Sequence, residues 1–189
     1  MVIKYLHDGH ISQRSPKSNA RFVFAQSGKP EKREYFNLIL SLMLPFCTIG
    51  YVPYSNSWKD SRYNVEYSSI SLTTMQLPCF IELRSIWYLD KVKIVPPNIK
   101  DLLTPIALAH WITGDGSKHN EGLHLSVYSF SKSDVDLSVS ALTNKFNISC
   151  SLHKTDKGSR IYIKKSSTNI LRPLIVEHFV PSMKYKIGI

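Results

Sequence analysis

Two hydrophobic periods run along this chain, and the places where one gives way to the other mark its elements. The clearest begins at Leu103. Thr104 suits a helix cap, Pro105 suits a first helical turn, and the apolar stretch 106–112 stops at Gly114-Asp115-Gly116. Next, Leu123, Leu125 and Val127 alternate with His124, Ser126 and Tyr128, the two-residue period of a half-buried strand with one apolar and one polar face. Val135, Val139, Leu142 and Phe146 then recur at helical spacing behind Ser131 and Ser133, both suitable caps. Strands are expected over 151–155 and 159–164, joined by Asp156-Lys157-Gly158, because glycine tolerates the positive φ of a tight hairpin. A helix over 166–179 closes the chain, with Pro173 inside it expected to cost about 3 kcal/mol or to force a kink.

The first half repeats this order. Asp8-Gly9 precedes a strand over 21–27, a helix over 31–44, a loop and strand region over 49–74, and a helix over 76–88. Leu38, Leu42 and Phe46 read as a core stripe. The duplication lies in element order rather than identity, and Pro96-Pro97-Asn98 marks the join. The expected fold is α+β, with similar units over 1–100 and 101–189, each of pattern αββαββα and each built on an antiparallel sheet.

Charge narrows the partners. The chain has 24 Lys plus Arg against 14 Asp plus Glu, a formal net charge of +10, which favours a polyanion and above all nucleic acid. No stretch approaches the roughly 18–20 uncharged apolar residues that span a bilayer, so a soluble protein with no membrane partner is expected. Cys47, Cys79 and Cys150 are widely spaced and odd in number, which suggests neither a disulfide framework nor a zinc site. The 7 histidines show no zinc spacing or His-Asn-His pattern, even where His7 and His10 flank Asp8-Gly9. Glycine-rich nucleotide loops are absent as well.

Leu108-Ala109-His110-Trp111-Ile112-Thr113-Gly114-Asp115-Gly116 resembles the signature of the LAGLIDADG homing endonuclease family, with Leu, Ala, Ile, Asp and Gly in register. Asp8-Gly9, followed by His10, resembles the end of a first copy, and the order of elements is that of the family's double-motif members. The resemblance covers nearly the whole chain. It implies motif helices packed side by side through small residues such as Ala109, Thr113 and Gly114, and two sheets forming a saddle over duplex DNA. His110 and Trp111 are bulkier than the usual pattern. The first copy departs further: Met1 to His7 supplies only about two turns of helix, Ile3 and His7 replace small residues, and Lys4 stands in an apolar position. The expectation is a truncated or degenerate first motif.

The resemblance implies a catalytic divalent metal, Mg2+ or Mn2+, held by Asp8 and Asp115 with the main chain at Gly114. A hard cation on carboxylate oxygens offsets the charge built during phosphodiester hydrolysis and activates water. Lys93, before Ile94-Val95-Pro96, Lys186, after Tyr185, and Gln26 stand where the family places groups that assist near the scissile phosphates. At the position pairing with Gln26 the second half is read as Tyr128.

Reading of bases falls to the sheet faces, since an antiparallel ribbon fits the major groove. With Ile161 and Ile163 inward, Arg160, Tyr162 and Lys164 face outward, joined by His124, Tyr128 and either His153 or Lys154. Arg14, Lys17, Arg21, Arg62 and Tyr63 are the counterparts in the first half. The expected activity is site-specific double-strand DNA cleavage by a monomer. Two other classes share the basic surface: an intron RNA maturase and a regulator that binds DNA without cutting it. Family members are encoded inside organellar introns, which implies a mitochondrial origin.

Overall fold

Alternating apolar residues on neighbouring strands lay down the first sheet. The structure is a computed structural model that describes residues 9–189; Asp8 and the rest of the expected first motif lie outside the described residues. The elements begin with β1 (Gly9–Gln13), β2 (Ala20–Ser27), α1 (Pro30–Met43), β3 (Tyr54–Asp60), β4 (Val65–Thr73) and α2 (Pro78–Trp87). The strands form an antiparallel sheet ordered β1-β2-β4-β3, in which Ile11 lies opposite Phe22 and Phe24 opposite Leu72. Those side chains are buried on one face, where Phe24 meets Tyr35 and Phe36 of α1. The buried stripe of α1 is Tyr35, Phe36, Ile39 and Met43. It replaces the expected Leu38, Leu42 and Phe46, because the aromatic pair fixes which face turns to the sheet; Leu42 is left exposed.

The second half supplies β5 (Tyr88–Leu89), β6 (Val92–Lys93), α3 (Ile99–Leu102), α4 (Pro105–Asp115), β7 (Gly116–His119), β8 (Gly122–Ser126), α5 (Lys132–Phe146), β9 (Cys150–Thr155), β10 (Gly158–Ile163) and α6 (Lys165–Ile175). Its sheet is ordered β7-β8-β10-β9, the same path as the first. Leu123 and Leu125 of β8 pair with Ile163 and Ile161 of β10 and fill the inner face. By contacts the chain divides between Arg84 and Ser85, so the expected join near residue 100 falls inside the second unit.

Local chemistry explains the helix ends. Thr104 accepts a hydrogen bond from the Ala107 amide at 3.2 Å, as its place before Pro105 suggests. Ser131 caps α5 in a reciprocal capping box with Asp134, whose carboxylate also accepts from the Val95 amide at 2.9 Å. The last helix stops earlier than expected: α6 ends at Ile175, two residues beyond Pro173, and 176–178 tighten into a 3₁₀ turn. Pro173 lacks the amide hydrogen that would meet the Asn169 carbonyl, which weakens the helix inside its last turns, and the ladder runs on only to the bond from the Val176 amide to the Arg172 carbonyl. Among the described residues no helix is long and apolar enough to cross a membrane.

Candidate catalytic helix end and nucleic-acid interface

The motif helix α4 is apolar almost throughout, and Ala107 to Thr113 are all buried. Its last residue is Asp115, half-buried, followed directly by β7. Gly116 is required there. A Cβ at that position would lie 2.4 Å from the Ile112 carbonyl oxygen, so only glycine lets the chain leave the helix along this path. Lys186, 8% exposed, donates from its ammonium to the Gly114 carbonyl at 2.9 Å. The buried ammonium is thereby bound to the residue just before Asp115, at the helix end that carries the negative pole of the helix dipole.

The other expected assisting groups are carried by strands of their own units. Lys93 is half-buried on β6, opposite Tyr88, on a hairpin tied by the Ile94 amide to the Trp87 carbonyl at 2.9 Å. Gln26 lies on the inner side of β2, in line with Phe22 and Phe24, and its Oε1 is buried with no hydrogen-bond partner among the described residues. The register corrects its counterpart. Gly9 stands opposite Phe24 and Gly116 opposite Leu125, so Gln26 corresponds to the buried Val127 and not to Tyr128.

On the outer face of the second sheet, the strand pairings put His119, His124, Ser126, Arg160, Tyr162, Ser151 and His153 on one side. Lys154 is excluded: it pairs with Ser159, in the alternation that carries Ile161 and Leu152, and so belongs to the opposite face. Arg160 donates to the Tyr128 hydroxyl and lies over its ring, 5.3 Å from the centroid. Lys164 is exposed at the cap of α6. His124 is only 5% exposed, although the alternation assigns it to the polar face, because rings from the three other strands cover it. Burial first, then the fields of His119, His153 and Arg160, push its pKa down to about 4.

In the first unit Ser12 pairs with Arg21, and both line a cavity of about 340 Å³ with Arg14 and Gln76. Lys17 is exposed in the turn between β1 and β2. Arg62 and Tyr63 occupy the turn between β3 and β4, with the guanidinium 5.6 Å from the Tyr63 ring centroid. Arg62 is also bound to Asp60 at 2.8 Å and holds that carboxyl below its usual range, so part of its charge is already answered.

Sequence reasoning did not reach Ser12, Trp58, Tyr67 or His119. The rings of Trp58 and Tyr67 stack at 6.0 Å on the outer face, with 48% and 41% of their surfaces exposed. Nearly every residue of the β3–β4 hairpin's outer part is exposed, so no apolar stripe announces its register. Strand β7, which carries His119, lacks apolar alternation for the same reason.

Residues 5–171 match the model of the LAGLIDADG DNA endonuclease family. The cytochrome b mRNA maturase bI2 of Saccharomyces cerevisiae is 30% identical over 192 residues, covering 97% of this chain and 45% of that protein. The protein of the same name from Debaryomyces hansenii is 30% identical over 185 residues, covering 97% of this chain and 70% of that protein. This chain therefore spans less than half the length of the first relative. The solved structure of the homing endonuclease I-WcaI bound to its DNA recognition sequence has a TM-score of 0.87 at 22% identity, covering 98% of this chain and 83% of that one, which is a likeness of fold.

Proposed function

This chain belongs to the LAGLIDADG DNA endonuclease family, and on that premise we propose that it hydrolyses both strands of a specific DNA duplex as a monomer, in the mitochondrion. The observation that carries the reading is the end of α4, where the chain stops at Asp115 and the Lys186 ammonium binds the carbonyl of Gly114, the residue before it.

The donor chemistry suits a hard cation. Mg2+-type ions take one or two carboxylates and fill their remaining positions with substrate phosphates and water. Asp115 fits that role, with the Gly114 carbonyl, since a carbonyl has two lone pairs and can serve both a cation and the Lys186 ammonium. Such an ion, Mg2+ or Mn2+, supplies positive charge against the phosphate and acidifies water. By sequence Asp8 takes the corresponding role at the first copy. Lys186, bound to the Gly114 carbonyl, is assigned to offset charge developing on a phosphate. Lys93 and Gln26 are assigned as further assisting groups, and the outer faces bearing Arg14, Arg21, Arg160 and Tyr162 as the DNA-reading surfaces.

Asp115→Asn keeps the size of the side chain and removes its charge. Cleavage of the duplex spanning the insertion site of the chain's own intron should fall by a hundredfold or more in Mg2+, on the order of losing one preorganised electrostatic group. Binding in Ca2+ should change by less than about threefold, under 1 kcal/mol. Full cleavage by the variant would overturn the assignment.

A second reading has its own support, because the two relatives described above, each 30% identical to this chain, carry the name mRNA maturase. In that reading the same basic surface binds intron RNA. Charge alone attracts both polyanions, so affinities for the intron RNA and for the duplex are to be compared at matched salt. Tighter RNA binding with no Mg2+-dependent cleavage would favour it.

A further inference from the structure

The outer face of the second sheet holds an assembly that a generic basic surface does not require. His124 on β8 is enclosed by one ring from each of the other strands: His119 stacks on it at 4.2 Å, while His153 and Tyr162 stand edge-on with centroids at 5.2 Å. His153 and Tyr162 stack on each other at 4.8 Å. Gly122 makes room, because a Cβ there would come within 2.5 Å of the Tyr162 hydroxyl. Within the assembly Nε2 of His124 faces Nδ1 of His153 at 3.1 Å. His124 is buried, whereas His153 is exposed and its remaining nitrogen, Nε2, lies 3.4 Å from the Ser151 hydroxyl.

A neutral imidazole has one donor nitrogen and one acceptor nitrogen. One hydrogen therefore sits between the two rings, and its owner fixes both tautomers. If His124 donates from Nε2, His153 must carry its proton on Nε2 and presents a donor outward. If His153 donates from Nδ1, its Nε2 is an acceptor and His124 carries its proton on Nδ1. Each ring holds one proton in both states, so the exchange through water changes no net charge. The Ser151 hydroxyl can donate or accept and is compatible with either.

We propose that His124 and His153 form a tautomer-coupled reader of one base pair, whose outward nitrogen turns from donor to acceptor to match the edge it meets. The proposal rests on the reading above, in which this face contacts duplex DNA. In the major groove, guanine N7 and O6, adenine N7 and thymine O4 are acceptors, while the cytosine and adenine amino groups are donors. A contact that serves both senses tolerates sequence change at its position. The low pKa of His124, about 4, keeps that ring neutral near pH 7 and preserves the coupling. Tyr162 and His119 hold the rings in place, and Arg160, opposite His153 on β10, supplies a charge independent of sequence.

The experiment uses the full chain with a randomised duplex pool in Ca2+, followed by a single-position substitution series on a selected duplex. His124→Phe preserves a ring for the stack and removes the nitrogen partner, which leaves His153 mainly as an outward donor, the tautomer that isolated imidazoles prefer. One position should accept all four bases within about threefold in the unaltered protein and show roughly tenfold preference for acceptor edges in His124→Phe, about 1.4 kcal/mol. Should that variant fail to fold, nitrogen NMR of labelled histidines in the unaltered protein decides: the tautomers of His124 and His153 should change together when the base at that position is exchanged. Duplex binding with an identical profile in both proteins, or with imidazole tautomers that ignore the base, overturns the coupled reader and leaves the DNA-binding reading standing. Failure to bind any duplex overturns the DNA-binding reading itself.

Discussion

An imidazole that is 5% exposed and crowded by two other histidines and an arginine resists protonation, and this makes His124 a determinant of acid stability as well as a candidate for recognition. An unfolded histidine titrates near 6.5, and the folded one is pushed down to about 4. Above pH 6.5 both states are neutral and the folded protein has its full stability. As pH falls from 6.5 towards 4 the unfolded chain takes up a proton that the folded one excludes, so stability is lost across that window. The loss attributable to His124 should be on the order of 1–3 kcal/mol. Urea midpoints at pH 7 and pH 4.5 would measure it, and His124→Phe should shrink the difference between them; an unchanged difference would mean the ring titrates normally. At this scale sequence reasoning placed Asp115 at a helix end and Arg160 and Tyr162 on the outer strand face, because motif position and strand alternation locate side chains without tertiary knowledge. It misjudged His124's surroundings, since the rings that bury it come from three other strands, and it matched Gln26 to Tyr128 where the pairing register gives Val127.

Elements whose signals are local were legible, and elements fixed only by pairing were not. Thr104 with Pro105, and Ser131 ahead of its apolar stripe, announce α4 and α5 through capping chemistry that operates within one turn. Strands β1, β5, β6 and β7 run for 5, 2, 2 and 4 residues, too short for a period to show, and exist because a neighbouring strand offers hydrogen bonds. The α5 capping box also reaches outside its own helix. Asp134 is 8% exposed and serves both the Ser131 amide and hydroxyl and the amide of Val95, two residues beyond Lys93. Ser131→Ala removes one cap and should cost about 1 kcal/mol. Asp134→Ala also leaves the buried Val95 amide unpaired and should cost about 2–4 kcal/mol. Denaturant unfolding of the two variants would test this; equal losses would mean that the bond to Val95 contributes little.

At the scale of the whole chain, duplication was legible because element order survives where identity does not: both sheets follow the same strand path, 1-2-4-3 within each unit. The net charge of +10 pointed to a polyanion, yet charge alone cannot say which cations meet it. Strand register does. Arg160 lies on the outer face beside Tyr162, while Lys154, a neighbour on the same hairpin, belongs to the opposite face. If the outer face meets DNA through about six to ten phosphate contacts, affinity should fall by roughly 10³–10⁵ between 50 and 200 mM salt. Arg160→Ala should then lower the slope of log affinity against log salt by about one, the effect of one lost phosphate contact, whereas Lys154→Ala should leave it unchanged. Equal effects would mean that the whole hairpin edge, and not one face of it, lies against the nucleic acid. A shallow slope in the unaltered chain would mean that few of its basic residues reach phosphates at all.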